Sequence, residues 1–581
     1  MRDLRRFLDT SGSNLEPRRC KAPPAYTGSM TQLFVNANIH TFDPANPHAT
    51  AILTDGETIT AVGDAKDLKA NTSGVETVDL DGDTVIPGFV DAHLHALAHA
   101  ESLAELNISK TTSLPEAVEA IRAFAAILPQ GQWVTGGRWD YSKWGLRHQP
   151  DRSLLDVALP DRPVALWSID FHTLWCNGAA LRAAGIDRDT PDPRGGKIVR
   201  DEHGEPTGIL REDAATLVER VIPHLPEETL GELMRNAQKQ WLQEGLTGLH
   251  DIDGEFSKRA WNQLRASGDL NMRVVKYLRL DEYDWAKDTG WTTGSGDDWY
   301  RHGGLKLFSD GALGSRSSYM SSPYPAEGEL YETGNDAGQN YGMQITTENV
   351  LIEQMRDAYA HGIVPIVHAI GDQANHHVLN AFEQTQSDRQ ATEKRLGYPL
   401  RARIEHAQFV QPRDVARFAQ LDVIASMQPR HCISDLHLLN ALRPDPSLAA
   451  YAWTALLAAG AHVAFGSDGP VEPTTPFAAI YTAMTRADIA GDPTTTFQAQ
   501  NRMGAYQAIR CHTAGPAFAS GMETRAGALK AGMNADFIAI NHDPLSVTEF
   551  GDDDALFEHA TAIRDTVVNT TVVGGRIQFR R

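Results

Sequence analysis

Between residues 86 and 524 the chain alternates short β-like segments with longer helical ones, and this alternation most limits what it can become. The strand-like stretches are VIPGFVDAHLHA, GLTGLHDID, MRVVKYL, LKLFSDG, IVPIVHAIGD, RIEHAQFV, VIASMQP and HVAFGSD. Helical segments such as EETLGELMRNAQKQWLQEG and PRDVARFAQ separate them. Strand–helix units in series predict parallel strands with crossover helices, and about eight such units close into a (β/α)8 TIM-like barrel of α/β class.

The excess over a minimal barrel lies mainly between the first and second strands, about residues 97–224, and reads as an inserted lid or cap. It contains Trp139, Trp144, Trp167 and Trp175. These either fill the insertion's own core, the commoner fate of tryptophan, or offer an apolar wall to a substrate. Residues 30–85 and 525–581 are β-rich, with LFVNANIHTF and TTVVGGRIQF at the two ends and Asp-Gly turn signals between short runs. They predict one composite β-sandwich built from both ends of the chain. Residues 1–29 lack periodicity and end in Gly28-Ser29-Met30, so they read as a tag or disordered leader.

Charge and composition narrow the function. A formal net charge of -22 argues against gripping phosphate backbones, which requires clustered Lys and Arg. No run reaches the ~18 apolar residues of a membrane span. Four separated cysteines (Cys20, Cys176, Cys432, Cys511) form no zinc-finger or disulfide framework, and a reducing, cytoplasmic setting is the default. The expected partner is a small-molecule substrate, and a homodimer is the default assembly.

Asp91-Ala92-His93-Leu94-His95 is the strongest local signal. Residues two apart on a strand point the same way, so His93 and His95 can serve one metal ion. Later strands end in further ligating or proton-moving groups: Lys306 in GLKLFSDG, His368 in IVHAIGD, His406 in RIEHAQ and Asp468 in FGSDGPV. A lone strand-end His or Asp is commonly a helix cap or a paired group. Five strands contributing in order match the way barrel enzymes gather catalytic groups at one end.

This series, a His-x-His followed by Lys, His, His and Asp, resembles the amidohydrolase superfamily. GLKLFSDGALGSR, VHAIGDQAN and FGSDGPVEP resemble its branch of YtcJ-like proteins and N-substituted formamide deformylases. The resemblance runs from about Met30 to the C-terminus. It implies two divalent metal ions, one held by His93, His95 and Asp468 and the other by His368 and His406, with Lys306 bridging as a carbamate. An unmodified lysine ammonium has no acceptor for a cation, so the alternative is one metal with Lys306 as a charged neighbour. Zinc suits the ligands, as would manganese, iron, cobalt or nickel.

The expected reaction is hydrolysis of an amide or N-formyl C–N bond by metal-activated hydroxide, with Asp468 as general base. Asp170 and His172 in the insertion, Arg316 after the fourth strand, and Gln428 and His431 after the seventh are candidate substrate-binding residues. Deaminases of the superfamily resemble one another in a His-x-x-Glu after the fifth strand. Here that stretch reads HAIGD, with Gly371 at the Glu position. Deamination is therefore a minor option, and a non-catalytic regulator or binding relative is a third reading.

Overall fold

A computed structural model describes residues 31–72, 74–169, 173–193, 196–223, 226–324, 340–436, 438–439 and 445–581. Its centre is an eight-stranded parallel sheet that runs in chain order. The strands are Phe89–Leu94, Leu246–Asp251, Arg273–Leu278, Tyr300–Phe308, Pro365–Ala369, Arg403–His406, Ile424–Met427 and Val463–Phe465. Seven of them fall within stretches read from the sequence, since burial on both faces makes a parallel strand a near-continuous apolar run, while the fourth, Tyr300–Phe308, begins five residues before its stretch, LKLFSDG.

The eighth strand returns to the first. Both carboxylate oxygens of Asp91 accept from the Ser467 N–H, at 3.0 and 3.2 Å, while Oδ1 also accepts from the His93 N–H at 3.0 Å. The approach is so close that a Cβ at Gly466 would stand 2.5 Å from the His93 backbone nitrogen. Only glycine fits at that joint.

The crossover helices pack by one stripe. Glu227–Gln243 buries Leu230, Met234, Ala237 and Trp241, which recur at helical spacing, and it carries Glu227 and Glu228 in its first turn, where the helix dipole favours anions. Glu255–Ser267 ends at Gly268, whose φ of 79° stops the helix in the left-handed region.

The two chain ends share a second eight-stranded sheet. Its middle is the antiparallel pairing of Phe537–Ile540 with Thr84–Pro87, and the latter pairs in turn with Thr31–His40. Phe34 meets Phe537 edge to face at 4.9 Å in this sheet's core. A largely buried fork ties it to the barrel: Arg273 Nε and Nη2 donate to Asp536 at 2.5 and 3.0 Å.

The residues between the first two barrel strands build a six-stranded sheet with flanking helices, from Leu106–Asn107 to Pro206–Glu212. Its core contains Trp139, Trp144 and Trp175, exposed by 1%, 8% and 0%. Their indole N–H groups donate to the carbonyls of Leu166, Thr111 and Asp151. Trp167 is partly buried against a neighbouring cluster of the same insertion. The apolar-wall expectation therefore fails for the three buried tryptophans: they stabilise the insertion and have no surface left for a substrate. Among the described residues no helix is long and apolar enough to cross a membrane.

Candidate metal centre

The first barrel strand presents His93, which is 1% exposed, and ends at Leu94, with His95 the residue just past it. His93 Nδ1–H donates to Glu405 Oε2 at 2.5 Å, and His95 Nδ1–H donates to Asp253 Oδ1 at 2.8 Å. From the sixth strand, His406 Nδ1–H donates to Gln428 Oε1 at 2.8 Å. Each imidazole is thus fixed through Nδ1 by an acceptor, which leaves the lone pair on Nε2. This arrangement orients histidines toward a metal ion.

Those Nε2 atoms turn toward one carboxylate. Asp468 Oδ1 lies 3.2 Å from His93 Nε2 and 3.5 Å from His95 Nε2. Ligand atoms of His93, His406 and Asp468 lie within 4.8 Å of one another. Burial opposes ionisation of Asp468, yet the imidazoles of His93, His406 and His95 hold its carboxyl well below the usual range. His93 Nε2 is buried without a hydrogen-bond partner among the described residues. An orphaned imidazole nitrogen beside an ionised carboxylate is costly by itself and suits a divalent cation, so these residues fit one.

His406, which the resemblance puts with His368, also lies close to His93 and Asp468. The reason is backbone conformation. His406 and Ala407 have φ of 72° and 44°, both left-handed. Strand alternation would send neighbouring residues 405 and 406 to opposite faces. The left-handed turn brings His406 back, so Glu405 and His406 both serve the site. Asp468 is also left-handed, at φ 60°. Such strained residues persist where the surroundings over-determine them.

His368 borders the trio, its ring 4.5 Å from that of His406. Its Nε2–H donates to the Gly311 carbonyl at 3.2 Å and lies 3.5 Å from Asp310 Oδ1. Burial and the charge of Lys306 push its pKa down to about 3, so the ring is neutral. Lys306 is 3% exposed on the fourth strand. Burial lowers its pKa to about 8 against the upward pull of Glu405 and Asp468.

The other candidates are placed as follows. His431 Nδ1 accepts from the Gln408 amide at 3.3 Å, which leaves the proton on Nε2, 3.7 Å from Asp468 Oδ2. Gln428 reaches the centre with its carboxamide oxygen committed to His406. Arg316 lies in the loop after the fourth strand, its backbone N–H donating to Leu313 at 2.9 Å. Asp170 and His172 fall outside the described residues. Asp372, beside the position where related deaminases carry glutamate, is fully buried and accepts from Ser321 N–H and Gln411 at 2.9 Å each.

Glu405, Asp253 and Asp310 were not singled out from the sequence. Asp310 accepts backbone N–H groups of Ile370, Gly371 and Tyr319 at 3.0, 2.8 and 2.8 Å, which pins the end of the fifth strand to the loop after the fourth. Their signal is a carboxylate next to a strand-end candidate, in E-H, or two residues past the last residue of a barrel strand, in D-I-D after Asp251 and F-S-D after Phe308.

The amidohydrolase family matches residues 76–579 of this chain. The protein YtcJ of Bacillus subtilis is 30% identical over 556 residues, covering 94% of this chain and 99% of its own. N-substituted formamide deformylase of Arthrobacter pascens is 28% identical over 573 residues, covering 95% and 99%. Among solved structures, an uncharacterized metal-dependent hydrolase of Pyrococcus furiosus superposes with a TM-score of 0.71 at 27% identity, covering 89% of this chain and 100% of that one.

Proposed function

This chain belongs to the amidohydrolase family, and on that premise we propose that it hydrolyses an amide or N-formyl C–N bond of a small molecule at the His93–His406–Asp468 centre. One observation carries the reading: Nδ1 of His93, His95 and His406 is fixed by an acceptor, and the carboxylate of Asp468 lies within 3.5 Å of Nε2 of both His93 and His95. A divalent ion held there supplies a nucleophile from water at neutral pH and polarises a carbonyl.

His93, His406 and Asp468 would hold the first ion, with His95 beside them. His368 and a carboxylated Lys306 would hold a second. Neutral imidazoles and carboxylates suit zinc, and also manganese, iron, cobalt or nickel. The residues themselves move the protons. Asp468, ionised despite its burial, takes the proton of the attacking water and passes it to the departing nitrogen. His431, with its proton on Nε2 near Asp468, donates to the carbonyl oxygen as charge develops there.

The relative from Arthrobacter pascens acts, by its name, on N-substituted formamides, which supports the same bond type here. Cys176, Cys432 and Cys511 are free and buried, in keeping with a reducing, cytoplasmic setting. The test is metal content of the purified protein, then amine release from a panel of N-formyl and N-acyl amines. Metal-dependent release of amine is expected. No metal after reconstitution, or no hydrolysis across the panel by the metal-loaded protein, would overturn the reading.

A further inference from the structure

The layer of barrel interior beneath the metal centre is charged. Arg403 and Glu405, two residues apart on the sixth strand and therefore on one face, are both 0% exposed. The layers inside such barrels are ordinarily bulky aliphatic side chains. Arg403 donates to both Glu405 oxygens at 2.8 and 2.9 Å. It also donates to the Ala92 carbonyl on the first strand at 2.7 Å and to His250 Nδ1 on the second at 2.8 Å. Tyr277 OH on the third and Ser426 Oγ on the seventh accept at 2.9 and 2.8 Å.

One guanidinium therefore ties five strands together, counting its own. The Glu405 carboxylate it holds reaches His93 Nδ1 at 2.5 Å. Ala92, whose carbonyl Arg403 also grips, is the residue preceding His93. The ring of His93, through Glu405, and the peptide group that precedes it are thus both tied to Arg403. A buried charge pair is weak evidence for stability, since apolar residues fill such a space as well. Two of Arg403's contacts, to Glu405 and to the Ala92 carbonyl, instead lead to His93.

We propose that Glu405 and Arg403 are positioning residues of the metal site. Glu405 fixes the ring of His93 with Nε2 toward Asp468, and Arg403 fixes Glu405 against the barrel wall. The inference rests on the metal-centre reading above. Partners of this kind tune metal affinity by about 10–100-fold.

The test compares wild-type protein with Glu405→Gln, loaded with Zn2+ or Co2+. Metal affinity is measured by chelator competition, together with the visible spectrum of the cobalt form. Glu405→Gln keeps the size of the side chain and removes its charge. The expected result is metal binding about 10-fold or more weaker per folded chain, with a shifted cobalt spectrum. Unchanged affinity and spectrum beside a lowered melting temperature would show a purely structural role and overturn the proposal. Should Glu405→Gln not fold, Arg403→Lys gives the same reading, because lysine keeps the charge but cannot span these acceptors. A wild-type chain that binds neither ion would instead remove the metal-centre reading, and this inference with it.

Discussion

The backbone N–H of Asp468 donates to the carbonyl of His93 at 2.7 Å, while their side chains meet at 3.2 Å from Oδ1 to Nε2. The bond that joins the last barrel strand to the first thus lies at the residues that form the centre. Barrel closure sets the spacing of the ligands.

That relationship separates chemistry from folding. Asp468→Asn keeps the backbone bond but removes the carboxylate's second acceptor oxygen and its charge. Turnover should fall by roughly 10²–10⁴-fold, the range for loss of a general base, with a melting temperature near that of wild type. His93→Ala should likewise abolish turnover in a folded protein. Near-normal activity in either variant, measured with an amide substrate, would exclude the proposed roles.

Lys306 leads to a second expectation. Burial holds its amine down to about 8, so more of it is neutral near physiological pH than of an exposed lysine, and carbamate formation requires the neutral amine. Lys306→Ala should lower metal content from two ions per chain toward one. Short carboxylic acids, which can occupy the vacated space, should restore part of the activity. Two ions per chain in the variant without additives would show that Lys306 holds neither ion.

Most of the barrel was legible because most strands are short apolar runs between helical segments, and five of them carry a conspicuous polar residue at or near their ends. His93 and His95 were legible because strand alternation alone puts them on one side. Glu405 was not: R-I-E-H reads as one residue inside and the next outside, and only the left-handed backbone at 406 and 407 admits both. The same turn explains why His406 joins His93 and Asp468. Gln428 could be recognised as a mouth residue, but its partner could not, since that partner comes from the neighbouring strand. The tryptophans were ambiguous because composition does not reveal which core an aromatic ring fills.

The end sheet and the barrel offer a prediction independent of the metal. Arg273 and Asp536, with side chains 11% and 10% exposed, form a fork at 2.5 and 3.0 Å. A lysine at 273 reaches one oxygen and loses the parallel pair. Arg273→Lys should destabilise the protein by about 1–3 kcal/mol in urea denaturation, and Asp536→Ala by about 3–5 kcal/mol because Nε and Nη2 of the guanidinium lose their carboxylate while only Nη1 keeps a partner, the Asp298 carbonyl. Losses below about 0.5 kcal/mol, the scale of ordinary surface substitutions, would mean that apolar packing alone holds the sheet in place.

His512 should make the protein acid-sensitive away from the site. It lies 3% exposed between Phe89 and Phe465, with ring centroids at 5.9 and 5.4 Å, and neither nitrogen has a hydrogen-bond partner among the described residues. Burial pushes its pKa from 6.5 down to about 3. Below pH 6.5 the unfolded chain takes up a proton there that the folded chain refuses until about pH 3. The unfolded state therefore binds more protons across that window. This contribution to stability is present in full above pH 6.5 and is lost as pH falls, at about 1.4 kcal/mol per unit. His512→Leu removes the titrating group while keeping the site apolar. Between pH 6.5 and 4.5 wild type should lose about 2–3 kcal/mol more than this variant in chemical denaturation. Every other titrating group is common to both proteins, so the difference isolates this ring. Parallel losses in the two would mean that His512 becomes protonated in the folded state, which requires water or a local opening to reach it.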